Sequence, residues 1–213
     1  MSLAFSVLEA YPLPYAVSPS LGLKVRVEET SGARVHTIAL RTQVQIEPHR
    51  RRYTEEESAA LFDLFGSVDR YGDTLKSMLW THLSTMVVGF TGSAEFELSI
   101  PCSYDFEVAA NKYLTGVKDG DIPTVLLFSG MLYTEGPNGI AAGLVPWTCE
   151  ARHAIPTAVY RATMDAHFPN SAWIRLDRDV FAELDRFRLS ESIPTWDATI
   201  VRLCEIAAAA VRR

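Results

Sequence analysis

The sequence predicts a mainly β protein of the α+β class: an antiparallel, immunoglobulin-like β-sandwich with an inserted helix and a C-terminal helical segment. Apolar and polar residues alternate over several short runs, as they do along half-buried strands. These runs recur at a spacing of about 8 to 12 residues with turn residues between them, a pattern typical of sandwiches. After about residue 154 the apolar spacing becomes helical.

The strongest strand pattern lies at 38–46. Pro48 ends this run, because proline cannot donate a hydrogen bond to a sheet ladder. A second alternating run occupies 21–27, and Thr30-Ser31-Gly32 forms a turn signal between the two. We therefore predict an antiparallel hairpin. The side expected to face the core in the first run comprises Ile38, Leu40, Thr42, Val44 and Ile46.

Further elements follow from local patterns. Thr54 and Glu57 have the spacing of a capping box, which predicts a helix over 54–65 that stops at Gly66. Residues 68–76 are expected to form a loop. The most apolar run, 124–133, predicts a central strand. The remaining strands are predicted at 5–9, 79–88, 96–100, 104–110 and 140–146.

The last third of the chain predicts three helices. The first starts at Pro156, the second is capped by Asp177, and the third opens at Pro194 and Thr195. Because no linker composition separates the parts, we expect one compact unit. In it, residues 1–153 form the sandwich and residues 154–213 form helices packed on it. The apolar residues expected to face inward on the third helix are Trp196, Ile200, Leu203, Cys204 and Ala207.

Composition narrows the class of partner and the compartment. The net charge of -6 over 213 residues argues against nucleic acid as the main partner. No run is long and apolar enough for a membrane span, and the first residues lack the pattern of a signal peptide. Three widely spaced cysteines predict reduced thiols and a cytoplasmic location. The oligomeric state does not follow from the sequence.

The densest charge in the chain is the run His49, Arg50, Arg51 and Arg52, which we call the basic cluster. Arginine side chains match the geometry of carboxylates and phosphates, so the cluster is a candidate docking site for an acidic partner or a phosphate group. The alternative is a solvated strand end whose charge is balanced by the acidic residues at 55–57.

Cysteine and histidine give a weak candidate for a metal site. Cys149 and His153 would share one face of a helix, and with Cys102 and His82 they could bind zinc. No Cys-x2-Cys pair supports this, and Pro146 makes the helix doubtful. We therefore expect structural cysteines, no metal and no cofactor.

No motif names a reaction. The sequence has no Gly-x-Ser-x-Gly frame, phosphate-binding loop or His-Glu-x-x-His pattern, so we predict no catalytic residues. Alternating carboxylates could line a sheet face as a glycosidase pair does, although a solvated polar face is the simpler interpretation. They are Glu95, Glu97, Asp105 and Glu107. Aromatic residues are expected in the core, or in a groove or interface if exposed together. They are Trp80, Trp147, Trp173, Trp196, Tyr104, Tyr113 and Phe128.

Several stretches distributed over nearly the whole chain resemble a family of bacterial proteins of unknown function, mostly actinobacterial. They include IALRTQVQIEPHRRRY, LWTH with GFTGS, IPCSYDFEVAANKY, LLFSG, VPW, MDAHFPNS and PTW. Genes of this family lie near those of actinobacterial-type uptake [NiFe] hydrogenases. The resemblance thus implies an accessory, maturation or interaction role, and it supplies no catalytic residue.

Two functions remain open. The first is a non-enzymatic protein-binding or assembly factor, associated with [NiFe] hydrogenase. The second is a hydrolase or small-ligand-binding protein with a pocket between sheet and helices. A flat exposed apolar patch near the basic cluster would favour the first, and a deep pocket with converging His, Cys or carboxylate groups would favour the second.

Overall fold

Two antiparallel sheets form a sandwich in the computed structural model, which describes residues 2–103, 108–136, 139–169, 171 and 174–211. The strands are β1 (Leu3–Pro12), β2 (Ser20–Glu29), β3 (Arg34–Ile46), β4 (Met78–Thr91), β5 (Ser93–Pro101), β6 (Asp121–Gly136), β7 (Gly139–Leu144) and β8 (Glu150–Pro156). Sheet A has the strand order β1-β2-β5, and sheet B has the order β4-β3-β6-β7, with β8 also paired to β6. The predicted fold class is thereby confirmed.

The helices are short within the sandwich and longer at the C-terminus. Short turns of 3-10 helix occupy Pro48–Arg50 and Val68–Arg70. None of the helices in the described part of the chain is both long and apolar enough to cross a membrane. The α-helices are α1 (Glu55–Ala60), α2 (Phe62–Phe65), α3 (Tyr71–Thr74), α4 (Ala109–Gly116), α5 (Thr157–Asp165), α6 (Arg178–Ser190) and α7 (Trp196–Val211).

The core lies between the two sheets, as the alternation predicts. The rings of Phe5 on β1 and Phe128 on β6 stack across it with their centroids 4.1 Å apart. On β5, Leu98 and Ile100 are buried and Phe96 is half-buried. The other inward residues are fully or almost fully buried: Leu21, Leu23, Val25, Val27, Ile38, Leu40, Thr42, Val44 and Ile46.

The predicted hairpin between the second and third strands is wrong. β2 pairs with β1 and β5, whereas β3 pairs with β4 and β6 in the other sheet. The connection crosses between the sheets and is held by the Glu29 carboxylate, which accepts hydrogen bonds from Ser31 and from the Ala33 amide. Gly32 adopts φ +82°, a left-handed conformation that suits glycine. The turn signal was correct, but the partner of each strand is set by distant residues.

Four local predictions also need correction. The helix at 54–65 is interrupted at Leu61, which caps α1 and precedes α2. The expected loop at 68–76 contains a 3-10 turn and α3. The strand predicted at 104–110 gives way to α4 from Ala109, and its residues 104–107 lie outside the described residues. No strand was predicted at 150–156, where the structure has β8.

The chain divides into two compact units, residues 1–172 and 173–213. Helix α5 belongs to the first unit and contacts β1, β2 and β8. The second unit contains α6 and α7, where Phe181 contacts Trp196 and the Arg188 guanidinium lies 4.7 Å from the centroid of the same indole. Ile200 and Cys204, expected to face inward, are exposed. The packing of all C-terminal helices on the sandwich stays a prediction.

Candidate functional site

The basic cluster lies where β3 ends, but its central arginine is held inside the fold. The Arg51 side chain is only 12% exposed, and its Nη2 lies 2.7 Å from Glu57 Oε1. Its guanidinium also donates to the carbonyl oxygens of Asp119 and Asp121, at 3.0 and 3.1 Å. Arg51 therefore ties the end of β3 to α1 and to the loop before β6.

Glu57 is the acidic centre of this network. The Thr54 cap fixes it at the first turn of α1, where its carboxylate accepts hydrogen bonds from the Thr54 and Lys118 amides. Burial by itself raises the pKa of Glu57, but these backbone hydrogen bonds and the charge of Arg51 more than offset it, so that the pKa is lowered overall. The carboxylate thus remains ionised beside Arg51.

Tyrosines pack against the same network. Tyr53 donates a hydrogen bond to the Pro48 carbonyl and contacts the hydroxyl of fully buried Tyr113 at 3.1 Å. The Arg51 guanidinium lies 5.2 Å from the Tyr53 ring centroid, within range of a cation–π contact. Burial raises the pKa of the Tyr53 hydroxyl, so it remains a neutral donor. These contacts give the loop after β3 a fixed shape.

The other members of the basic cluster face solvent. His49 and Arg52 are exposed, while Arg50 is half exposed and lies 3.6 Å from the buried Glu47 carboxylate. Arg152 approaches the same carboxylate at 3.1 Å. A surface pocket of about 370 Å³ opens beside the cluster and can admit a small anion. Its lining residues are Arg50, Arg51, Arg52, Gly120, Asp121, Pro123 and Ala154.

The structure contains a second surface feature that the sequence does not predict. It is an apolar row across four strands on the outer side of sheet B. In the register of the sheet, Met86 on β4 lies opposite Ala39 on β3. Ala39 lies opposite Met131 on β6, which in turn lies opposite Leu144 on β7. Side chains of directly opposed residues point to the same side of a sheet. These four residues therefore form one continuous row.

The neighbouring row extends this apolar surface. It runs through Val88, Thr37, Tyr133 and Ala142 in the same strand order. Exposure is 61% for Met86, 76% for Val88, 37% for Met131 and 75% for Leu144. Exposed apolar side chains that adjoin in this way are typical of protein-binding surfaces. We call the set the apolar face, comprising Ala39, Met86, Val88, Met131, Ala142 and Leu144.

The outer side of sheet A has the opposite character. Glu95 pairs with Lys24 at 2.8 Å and with Arg26 at 2.6 Å. Glu97 accepts a hydrogen bond from Tyr11, which raises the pKa of that phenol to about 12. Here the predicted solvated polar face holds for the two carboxylates that the structure describes. Asp105 and Glu107 lie outside the described residues.

The weak metal candidates do not converge. Cys149 immediately precedes strand β8 and His153 lies within it, so the two residues are not on a helix. At the rise of an extended strand their Cα atoms are separated by roughly 13 Å. Cys102 donates weakly to the Ile100 carbonyl on sheet A, and burial raises the pKa of its thiol to about 12. No group of three His, Cys, Asp or Glu side chains suited to a metal occurs among the described residues.

The aromatic predictions divide between core and surface. Tyr113 and Phe128 are buried, and Trp80 packs half-buried against the core. Trp147, expected in the core, is 91% exposed in the segment between β7 and β8. Trp196 is 40% exposed in the second unit. Tyr104 and Trp173 lie outside the described residues.

Several solved structures show a remote likeness to this chain. One is the solution structure of a late embryogenesis abundant (LEA) protein, 13% identical, with a TM-score of 0.30, covering 73% of this chain and 71% of that chain. Another is β-glucosidase 3B from Thermotoga neapolitana, 16% identical, with a TM-score of 0.26, covering 72% of this chain and 17% of that chain. A β-glucosidase from Kluyveromyces marxianus is 8% identical, with a TM-score of 0.26, and the likeness covers 73% of this chain and 15% of that chain. At these scores the likenesses support no inference about function.

Comparison with curated proteins finds no match. A family model, in contrast, matches residues 1–212. The segments that resemble a family of unknown function run over the same length of chain. Because the match covers nearly every residue, this protein belongs to DUF6084, a family of unknown function.

Proposed function

We propose that this protein is a non-enzymatic accessory or assembly factor that docks another protein on its apolar face. The observation that carries the proposal is the exposure of Met86, Val88, Met131 and Leu144 in two adjoining rows. A side of a sheet that faces only water normally carries polar residues, as sheet A does. Burying these side chains against a partner would remove their apolar surface from water.

The basic cluster is a second contact in this proposal. His49, Arg50 and Arg52 are exposed to an acidic partner, and Arg51 fixes the loop that carries them. The cluster does not adjoin the apolar face. Ala39 and Arg50 are separated by most of β3 and the turn after it, roughly 30 Å along an extended strand. A partner that reaches both must therefore be large.

For the identity of the partner, the family resemblance is the guide. It points to the uptake [NiFe] hydrogenase or to a factor that assembles it. We propose a cytoplasmic encounter with such a partner, in agreement with the three thiols, which are free in the structure. A large protein complex would also provide the extended surface that the two separate contacts require.

The test is direct binding to purified hydrogenase subunits and maturation factors, measured by biolayer interferometry. The double variant Met86→Glu with Met131→Glu places charges in the apolar face and should weaken binding about tenfold or more, equal to about 1.4 kcal/mol or more. The matched control, Ser6→Glu with Ser99→Glu, places the same charges on the outer side of sheet A. It should leave the affinity unchanged.

Each result has a distinct meaning for the proposal. Lack of binding to every hydrogenase component contradicts the proposed partner. Binding that both double variants retain contradicts the apolar face as the docking site. Circular dichroism of each variant must match that of the wild type, so that a change in affinity reports the surface and not the fold.

The pocket beside the basic cluster favours a second candidate, a small-ligand-binding protein for an anion. Arg50 and Arg52 supply the positive charge, and neither a cysteine nor a histidine lines the pocket. Thermal unfolding with and without pyrophosphate tests this candidate. A rise in melting temperature that disappears in the double variant Arg50→Ala with Arg52→Ala would support it, and an unchanged melt would contradict it.

A further inference from the structure

Within the described part of the chain, strand β7 leaves one side of its backbone unpaired at the edge of sheet B. It pairs with β6 and ends the strand order on that side of the sheet. All six of its residues are exposed. Its sequence, Gly-Ile-Ala-Ala-Gly-Leu, contains neither a charged residue nor a proline. Proteins usually protect such an edge with charges, proline or a bulge, because an open edge pairs readily with another strand.

Strands β1, β5 and β4, which also lie at sheet edges, differ from β7 in this respect. β1 contains Glu9, a register shift between Val7 and Glu9, and a final Pro12. β5 contains Glu95 and Glu97 and ends at Pro101. β4 lacks charged residues apart from His82, but it continues through Gly92 into β5 and contacts that strand. Compared with these three strands, and as far as the described residues show, β7 combines an open backbone edge with the absence of any charged residue.

The hydrogen bonding of the hairpin identifies which backbone groups face outward. The Val145 amide donates to the Gly130 carbonyl at 3.0 Å. In an antiparallel pair, hydrogen-bonded residues alternate with residues whose N–H and C=O point away. Ile140, Ala142 and Leu144 therefore direct their backbone groups to the open edge. Their side chains lie on the outer side of the sheet, opposite Glu135, Tyr133 and Met131.

We propose that β7 pairs antiparallel with β7 of a second copy of this chain, in a register centred on Ala142. Ala142 then lies opposite its own counterpart, and Ile140 lies opposite Leu144 in both directions. Each of these pairs exchanges its backbone hydrogen bonds, because the three residues are those with outward N–H and C=O groups. On the inner side, Ala141 meets Gly143, so no bulky or charged side chain obstructs the contact.

A second copy fits this edge because the outward residues of β7 are small or apolar and are compatible with one another. Under a two-fold axis perpendicular to the sheet, every outward position of β7 is matched by another position of the same strand. The nearest charges on the neighbouring strands, Arg34 and Glu135, already form an ion pair at 3.4 Å. The approach is thus free of like-charge repulsion at the contact, although each chain carries a net charge of -6.

This pairing has a geometric consequence for the apolar face. A perpendicular two-fold axis keeps the outer sides of both copies on the same side of the joined sheet. The row through Leu144 continues into Ile140 of the second copy. The row through Ala142 continues into Ala142 of the second copy. The dimer would present a double-width apolar surface. Self-association is nevertheless independent of whether a hydrogenase component binds there.

Sedimentation of the full chain over a wide concentration range tests the proposal. We expect a reversible monomer–dimer equilibrium. Ala142→Lys should raise the dimer dissociation constant at least tenfold, because two ammonium groups would meet across a pair whose Cα atoms lie about 5.5 Å apart. Val88→Lys, a matched substitution on exposed β4, should leave the constant unchanged. Sedimentation as a monomer at the highest soluble concentration, or equal effects of the two lysines, would overturn the proposal.

Cross-linking tests the register and does not depend on how Ala142→Lys folds. In a Cys204→Ser background, which removes the exposed native thiol, Ala142→Cys should form a disulfide-linked dimer under mild oxidation. The expected Cα separation of about 5.5 Å lies within the range of disulfides. Val88→Cys should remain monomeric. Equal cross-linking at both positions, or none at 142, would overturn the proposed contact, as would dimers that form only through β4.

Discussion

The basic cluster follows the end of strand β3 and the apolar face lies on the outer side of the same sheet, but the two differ in how far their side chains are buried. Arg51 sits in the densest run of charge in the sequence, but the protein satisfies its guanidinium with Glu57 and two carbonyl oxygens. Met86 and Leu144 come from strands far apart in sequence, and they remain exposed after the chain has folded. Charge density in a sequence therefore overstates the charge that is free to bind, and scattered apolar residues understate the surface that the sheet assembles.

The largest expected effect separates Arg51 from its neighbour. Arg51→Ala would leave the Glu57 carboxylate buried without its cation and should lower the free energy of unfolding by about 3 to 5 kcal/mol. Arg52→Ala, at an exposed position, should lower it by about 1 kcal/mol or less. Urea unfolding of both variants measures the difference. If the two variants had similar urea midpoints, Arg51 would contribute no more to the stability of the fold than the exposed Arg52.

A second comparison uses adjacent residues on β6. Leu132 points into the core and is 3% exposed, whereas Met131 lies on the apolar face. Leu132→Ala should cost about 3 kcal/mol of unfolding free energy, because it leaves a cavity. Met131→Ala should cost about 1 kcal/mol or less and should instead weaken partner binding. If Met131→Ala proved as destabilising as Leu132→Ala, the apolar face would be part of the folded core.

The pH dependence of stability tests the Glu57 network. Because the pKa of Glu57 is lowered on folding, its contribution is fully present above the pKa of an unfolded glutamate, about 4.3, and is lost as the pH falls through the folded value. The wild type should therefore lose stability below about pH 5 more steeply than Glu57→Gln.

Glu56→Gln provides the control for this titration. Glu56 lies on the same helical turn, is 75% exposed and contacts Lys118 at 3.0 Å. Its replacement should leave the wild-type slope nearly unchanged. Urea midpoints measured between about pH 3 and pH 7 give the slopes. A Glu57→Gln profile parallel to that of the wild type would show that the network contributes little to acid sensitivity.

The smallest expected effect concerns the exposed cations. Arg50→Ala with Arg52→Ala should weaken partner binding several-fold at low salt and flatten its salt dependence, because exposed charges mainly steer association. Thermal melting should shift little. Binding rates at low and high salt measure the effect, with Arg34→Ala as a control on another exposed arginine of sheet B. Unchanged rates would remove the basic cluster from the proposed function and leave the apolar face as the main contact.

Local patterns predicted much of the sandwich. Alternation at 21–27 and 38–46 identified strands β2 and β3 and the side of each that faces the core. The capping box located the start of α1, and the apolar run at 124–133 identified β6 as a central strand. These features depend on neighbours within a few residues, where backbone geometry fixes which side chains share a face.

Pairing partners and surface rows were beyond such patterns. β2 and β3 adjoin in sequence but enter different sheets, because each pairs with strands much later in the chain. Met131 joins Ala39 only through the register of β6 on β3. A one-residue shift of that register would have turned Met131 inward. The burial of Arg51 likewise depends on Glu57 and on a loop some 70 residues away along the chain.

The long separation between β3 and β6 has a consequence for synthesis on the ribosome. Ile46 pairs with Thr124 and Val35 with Thr134, so about 80 to 100 residues must be added before β3 meets its central neighbour. At translation rates of about 5 to 20 residues per second, the wait lasts about 4 to 20 seconds. We expect nascent chains that end before β6 to be sensitive to protease and to bind chaperones. Limited proteolysis of ribosome-arrested chains of increasing length would locate the onset of protection, which should come only after β6 has emerged.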